Sequence, residues 1–145
     1  MFLVVDANRV FSSLLSKGKA FDVFLLNSIL NSLWLISPEY LFFEIGRHFD
    51  EILERSKLPS AEFAKVFRFI KDEVDFLPFE EFNMFADAAD KLAPHSKDVQ
   101  YFALALASNG AIWSDEAAFK KQSKVKVLNT DEVINLLFSK LSPIV

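Results

Sequence analysis

The sequence predicts an α/β domain, a mostly parallel sheet of about five strands with helices on both faces. Three observations predict it. Short apolar runs alternate with longer stretches whose apolar residues recur at helical spacing. The first run is apolar throughout, as a strand buried on both faces is. Turn-forming Gly, Pro and Asn punctuate the segments. Strand and helix in regular alternation argue for parallel pairing through crossover helices.

Residues 2–5 read as a central strand, and a helix follows over 10–15, stopping near Gly18. Apolar side chains at 21, 24, 25, 29 and 30 mark a second helix over 21–31. Residues 33–36 form the second strand, closed by Ser37 and Pro38. Pro38 is expected in the first turn of the third helix, where its missing N–H costs nothing. Leu41, Ile45, Phe49, Ile52 and Leu53 are that helix's stripe, and Leu58-Pro59 ends it. Phe63, Val66, Phe67 and Ile70 mark a fourth helix from Ser60, and 74–77 a third strand. Residues 79–92 are expected to form one helix, ended by Ala93-Pro94-His95. Val99, Phe102, Ala103, Leu106 and Ala107 mark the next, stopped by Asn109-Gly110. Residues 111–113 and 125–128 are the fourth and fifth strands, and Thr130 is expected to cap a last helix reaching 137 or 138. No repeat or linker interrupts the pattern, so 1–141 is expected to be one domain and 142–145 a loose tail.

Bulk properties exclude several classes. A chain of 145 residues, 52% hydrophobic, suits one substantial core and argues against disorder. Its 17 phenylalanines are many for such a core, so some are expected to pair with another chain. A homodimer through the segments 42–49 and 63–69 is the expected outcome. No apolar run spans a bilayer, since 21–35 is broken by Asp22, Asn27 and Asn31. The N-terminal run is short, lacks a preceding basic region and ends on Asp6, unlike a signal peptide. A cytoplasmic protein with no membrane partner is expected. The absence of cysteine removes disulfides, thiolate zinc sites and a cysteine nucleophile. His48 and His95 lack zinc-like spacing, and no Gly-rich nucleotide motif occurs. A net charge of −4 argues weakly against a nucleic-acid binder. It does not exclude a nuclease, because acids that hold a metal count toward the total without repelling substrate once the metal is bound.

Four stretches place carboxylates where an α/β fold would gather them. Asp6 ends the first strand, where ligands bind in open parallel sheets; equally, it suits a helix cap. Glu44 lies one turn into a helix, on a solvated face it would otherwise share with Arg47, Glu51 and Arg55, with His48 as a one-turn partner. Asp98 stands in the first turn of its helix, favoured there by the helix dipole, with Ser96 a candidate cap. Asp115 and Glu116 follow the fourth strand and suit a short-helix cap as well. Taken jointly, uncompensated carboxylates at one sheet edge repel and raise one another's pKa. A hard divalent cation removes that cost.

The set resembles the PIN-domain nucleases. Lys97-Asp98 opening an Ala/Leu-rich helix, then Ile112-Trp113-Ser114-Asp115-Glu116-Ala117-Ala118-Phe119, looks like the family's acid-led helix, strand and Thr/Ser-Asn-Asp-x-x-Phe turn. Val4-Val5-Asp6-Ala7-Asn8 is similar to its first motif, and Glu44 falls at its helical glutamate. Counting back from Phe119 puts Glu116 on the last acid; counting forward from the strand puts Asp115 there. Both are carried. The resemblance implies a three-layer α/β/α sandwich and Mg²⁺- or Mn²⁺-dependent cleavage of single-stranded RNA. It implies VapC-type toxins as relatives, homodimeric and held by a small antitoxin. Asp6, Glu44, Asp98 and Asp115 or Glu116 would be the metal-holding, catalytic acids. Asn8 or Ser114 would orient a carboxylate or a water, or cap a helix.

Lys120, Lys121, Lys124 and Lys126 follow the last acids and offer either phosphate steering or an ordinary solvated turn. Arg9 and Lys97, each beside an acid, are equally ambiguous. The rival reading is a PIN-like interaction module with weak or absent catalysis, favoured by the phenylalanine excess. A phosphoryl-accepting regulator would show an acidic pair at the first strand, which Val5-Asp6-Ala7 lacks.

Overall fold

The computed structural model describes residues 1–141; the predicted tail 142–145 lies outside the described residues. The elements in order are β1 (Phe2–Val5), α1 (Ala7–Leu15), α2 (Lys19–Leu30), β2 (Trp34–Pro38), α3 (Tyr40–Arg55), α4 (Ser60–Glu73) and β3 (Asp75–Leu77). Then come α5 (Ala86–Asp90), α6 (Val99–Ser108), β4 (Ala111–Trp113), β5 (Val127–Leu128) and α7 (Thr130–Ser139), with short 3₁₀ turns between them. The sheet order is β3-β2-β1-β4-β5, and every pairing is parallel. This is the predicted α/β class with five strands.

Leu3, Val4 and Val5 are fully buried, as a central strand covered on both faces requires. Helix α6 packs on β1, β2 and β4 with α5 against it, while α1, α2, α3, α4 and α7 pack on one another. Phe24 of α2 meets Trp113 of β4 at 5.1 Å between ring centroids, and Phe102 of α6 meets Phe119 at 5.1 Å. The chain leaves β1 toward β2 and β3, then returns past β1 to β4. That reversal sits between the carboxyl ends of β1 and β4, where ligands bind in open α/β sheets.

Helix α6 ends on Asn109 in the left-handed conformation (φ 53°), and Gly110 follows because a Cβ there would lie 2.7 Å from the carbonyl oxygen of Phe2. Four details depart from the sequence reading. Pro38 closes β2 instead of opening α3. Paired with Leu77 at the end of its strand, it needs to donate no ladder hydrogen bond. Residues 79–92 are not one helix but 3₁₀ turns at Phe79–Glu81 and Asn83–Phe85, followed by the short α5. Phe82 between them takes φ −138° and ψ 10°, and its ring is buried. Core burial there outweighs helical propensity. The cap of α7 is Asn129, not Thr130: its side chain accepts from Glu132 N–H while Glu132 Oε1 accepts from Asn129 N–H, a capping box. Ser96 makes no capping bond before α6.

The phenylalanine-rich segments divide. Phe42, Phe43 and Phe49 on α3 are exposed, with Leu53 beyond them. Phe63 of α4 is buried edge-on against Phe49, and Phe69 is half-buried against Phe21. The second segment therefore spends much of its aromatic surface inside the fold.

Candidate active site

Parallel register sets the site. Val5 lies opposite Trp113, so Asp6 and Ser114 emerge side by side from β1 and β4. Asp6 N–H donates to Trp113 O at 3.1 Å. Asp6 occupies the capping position of α1 but makes no side-chain cap; its Oδ2 accepts from Ser114 Oγ at 2.8 Å instead. Ser114 Oγ also accepts from Glu116 N–H at 3.1 Å. The serine thus both orients Asp6 and shapes the turn that carries Glu116. Asp98, at the end of a 3₁₀ turn leading into α6, is buried like Asp6 and makes no side-chain cap. Its Oδ2 is buried without a hydrogen-bond partner among the described residues.

Electrostatics tie these groups together. Burial pushes the Asp6 carboxyl up to about 6; Ser114 opposes this, Asp98 adds to it, Arg9 opposes and Glu116 adds. Burial likewise pushes Asp98 up to about 6, with Glu116 and Glu44 adding and Lys97 and His95 opposing. Asp6 thus feels the charges of Asp98 and Glu116, and Asp98 those of Glu116 and Glu44. Glu44 is held by Tyr101, whose buried phenol donates to Oε1 at 2.6 Å. Tyr101 was not picked out from the sequence. The legible signal was its position three residues after Asp98, the same helical face.

The two adjacent acids separate. Asp115 accepts from Thr130 N–H at 2.6 Å and Thr130 Oγ1 at 2.7 Å, and pairs with Arg9. Thr130 Oγ1 in turn accepts from the buried Trp113 indole at 3.0 Å. Asp115 is a brace from the β4 turn to α1 and α7, while Glu116 repels Asp6 and Asp98. Asn8 is exposed on α1 and lines the adjoining groove. Asp115→Asn is expected to destabilise the fold by about 1–2 kcal/mol through loss of charge-assisted bonds. Glu116→Gln is expected to leave metal-free stability equal or higher. Urea melts of both variants in EDTA check the assignment, and the reverse order defeats it.

Among the described residues no three His, Asp or Glu side chains converge closely enough to form a ready metal-holding group. The donor chemistry nevertheless fits a hard divalent cation. Every candidate donor is a carboxylate oxygen, two of the acids are buried and mutually repelling, and Asp98 Oδ2 has no partner.

Comparisons with known proteins identify the family. The PIN domain family model matches residues 4–143. The chain belongs to the PIN-domain family. None of the curated proteins matches it significantly. Among solved structures it is similar to VapBC2 from Rickettsia felis bound to a DNA fragment from their promoter, with TM-score 0.63, 12% identity, and 89% of this chain and 98% of that chain covered. It is similar also to PAE2754 from Pyrobaculum aerophilum, with TM-score 0.64, 12% identity, and 96% of this chain and 90% of that chain covered. At that identity the likeness is one of fold.

Proposed function

We propose that this protein is a divalent-metal-dependent endoribonuclease that hydrolyses phosphodiester bonds of single-stranded RNA. The observation that carries the reading is that buried Asp6 and Asp98, at the β1/β4 reversal of a PIN-domain chain, feel each other's neighbourhood of charge, Asp98 and Glu116 acting on Asp6 and Glu116 and Glu44 on Asp98. These four would hold Mg²⁺ or Mn²⁺. The chemistry such a cation supplies is activation of water and neutralisation of charge building on the phosphate. The chain's own residues prepare the site. Ser114 fixes Asp6 through one oxygen and leaves the other free of that bond. Tyr101 restrains Glu44. Asp98 offers an acceptor with no competing donor among the described residues. Asp115 braces the turn that presents Glu116 and takes a positioning role.

Cleavage of a labelled single-stranded RNA is expected with Mn²⁺ or Mg²⁺ and to stop in excess EDTA. Undiminished cleavage in chelator defeats the mechanism. The toxin role, a small antitoxin partner and a cytoplasmic setting belong to the same proposal. No helix among the described residues is long and apolar enough to cross a membrane.

A homodimer is part of the reading, and α3 carries the argument. Phe42, Gly46, Phe49 and Leu53 form one stripe at helical spacing, its three large side chains exposed. Glycine inside a helix costs about 1 kcal/mol relative to alanine. A Cβ at Gly46 would meet nothing of this chain within 4 Å, so internal packing does not require the glycine. A second copy crossing α3 at Gly46 would. Light scattering at micromolar concentration is expected to give twice the mass of 16.5 kDa, and a monomeric mass counts against the dimer.

The second reading, an interaction module without catalysis, is favoured by the same apolar stripe and by the absence of three converging ligands among the described residues. A metal titration followed by melting separates the two, since a cation that binds the folded state must stabilise it.

A further inference from the structure

A groove of about 420 Å³ lies along the seam between α1 and α3, with Lys97, the residue before Asp98, in its lining. Arg9 and Phe11 of α1 line one side, His48, Glu51 and Arg55 of α3 the other, and Lys97 completes the lining. We propose that this groove binds the sugar-phosphate backbone of the RNA on one side of the bond to be cut. The proposal rests on the nuclease reading and adds where the strand lies.

Charge decides the ligand class. Lys97 is exposed, without an ion pair among the described residues. Arg55 is largely exposed and shares Glu51 at 3.0 Å with His48 at 3.5 Å. Arg9 lines the groove with its Nε unpaired among the described residues, although its Nη1 pairs with Asp115. Glu51 is the one acid in the lining, set against two arginines and a lysine. In a chain of net charge −4 this is a local reversal of sign beside the acids. Phe11, ring-to-ring with His48 at 5.9 Å, gives the walls an aromatic surface against which a base can lie.

Length agrees. From His48 to Arg55 the α3 wall rises about 10 Å. A stacked strand advances about 3.4 Å per nucleotide, so about three nucleotides fit.

The alternative cationic surface is accounted for elsewhere. Lys120 pairs with Glu132, and Lys126 lies close enough to lower the same carboxyl. None of Lys120, Lys121, Lys124 and Lys126 lines this groove.

The test uses Asp98→Asn protein in EDTA, which holds cleavage off and lowers the pocket's repulsion. Fluorescence anisotropy follows binding of a labelled single-stranded RNA decamer over a range of salt. Arg55→Gln and Lys97→Gln are each expected to weaken binding roughly twofold to fivefold. Each should also reduce the slope of log K against log salt by about 0.7. Glu51→Gln is expected to tighten binding, and Lys121→Gln to leave it unchanged. Unchanged affinity and slope in both Arg55→Gln and Lys97→Gln overturn the groove, as does a loss at Lys121 in their place. Failure of the Asp98→Asn protein to bind RNA also overturns the groove. If the unmutated protein then still cleaves RNA with Mn²⁺, the nuclease reading survives; if it does not, both fall.

Discussion

Asp98→Asn is expected to lower RNA cleavage by more than about a hundredfold, the upper end of what losing an outer partner costs a metal site. It is also expected to raise the melting temperature of the metal-free protein. The two effects have one cause. Asp98 is buried, pushed up to about 6 by burial and by the repulsion of Glu116 and Glu44, and its Oδ2 has no hydrogen-bond partner among the described residues. An amide in its place removes a charge that the apo protein must desolvate without compensation. It also removes an anionic oxygen that a hard cation requires. The opposing structural account makes Asp98 a helix-dipole partner at the start of α6. On that account neutralisation lowers stability by about 0.3–1 kcal/mol and leaves cleavage intact. Melting in EDTA and cleavage with Mn²⁺, measured on the same preparations, discriminate between them. A lower melting temperature with normal cleavage would falsify the catalytic role of Asp98.

The second large effect is the pH dependence of stability without metal. Asp6 and Asp98 both have folded pKa values raised to about 6, against an unfolded value near 3.9. Between these limits the native chain holds protons that the unfolded chain has released. Stability must therefore fall as pH rises through that window. One such group considered alone is worth about 3 kcal/mol. The two share their repulsion, so the total is less than twice that. Glu132 shifts the other way, and its contribution is lost only in more acidic solution, below its ordinary value of 4.5. Calorimetry in EDTA is expected to give a higher melting temperature at pH 5 than at pH 7.5. Saturating Mn²⁺ is expected to flatten or reverse the trend, because the cation binds the ionised carboxylates. A metal-free melting temperature that climbs steadily from pH 5 to 7.5 would show that these acids do not control stability.

Much of the fold was legible before the structure. The apolar run Phe2–Val5, the Ala/Leu-rich segment after Asp98 and the strand Ala111–Trp113 each carry a local pattern that only one kind of element satisfies. The fold buries both Asp6 and Asp98, singled out from their places at element ends, and brings Asp98 near enough to raise the Asp6 carboxyl. The misread segment at 79–92 shows where local pattern fails. Its residues suit a helix, but burying the ring of Phe82 required a backbone that no helix has.

The sequence alone determined the five strands, most of the helices between them and the parallel sheet, because propensity and periodicity act over a few neighbouring residues. Tertiary structure gave Asp115 and Glu116 different surroundings. Two adjacent side chains in a turn differ only in what they meet, and Asp115 meets Arg9 and Thr130, 106 and 15 positions away. It likewise brought Tyr101 to Glu44 across 57 positions and put Lys97 and Arg55 into the lining of one groove. No local pattern encodes such pairings. They exist only once the core has closed and burial has made each unpartnered polar atom costly.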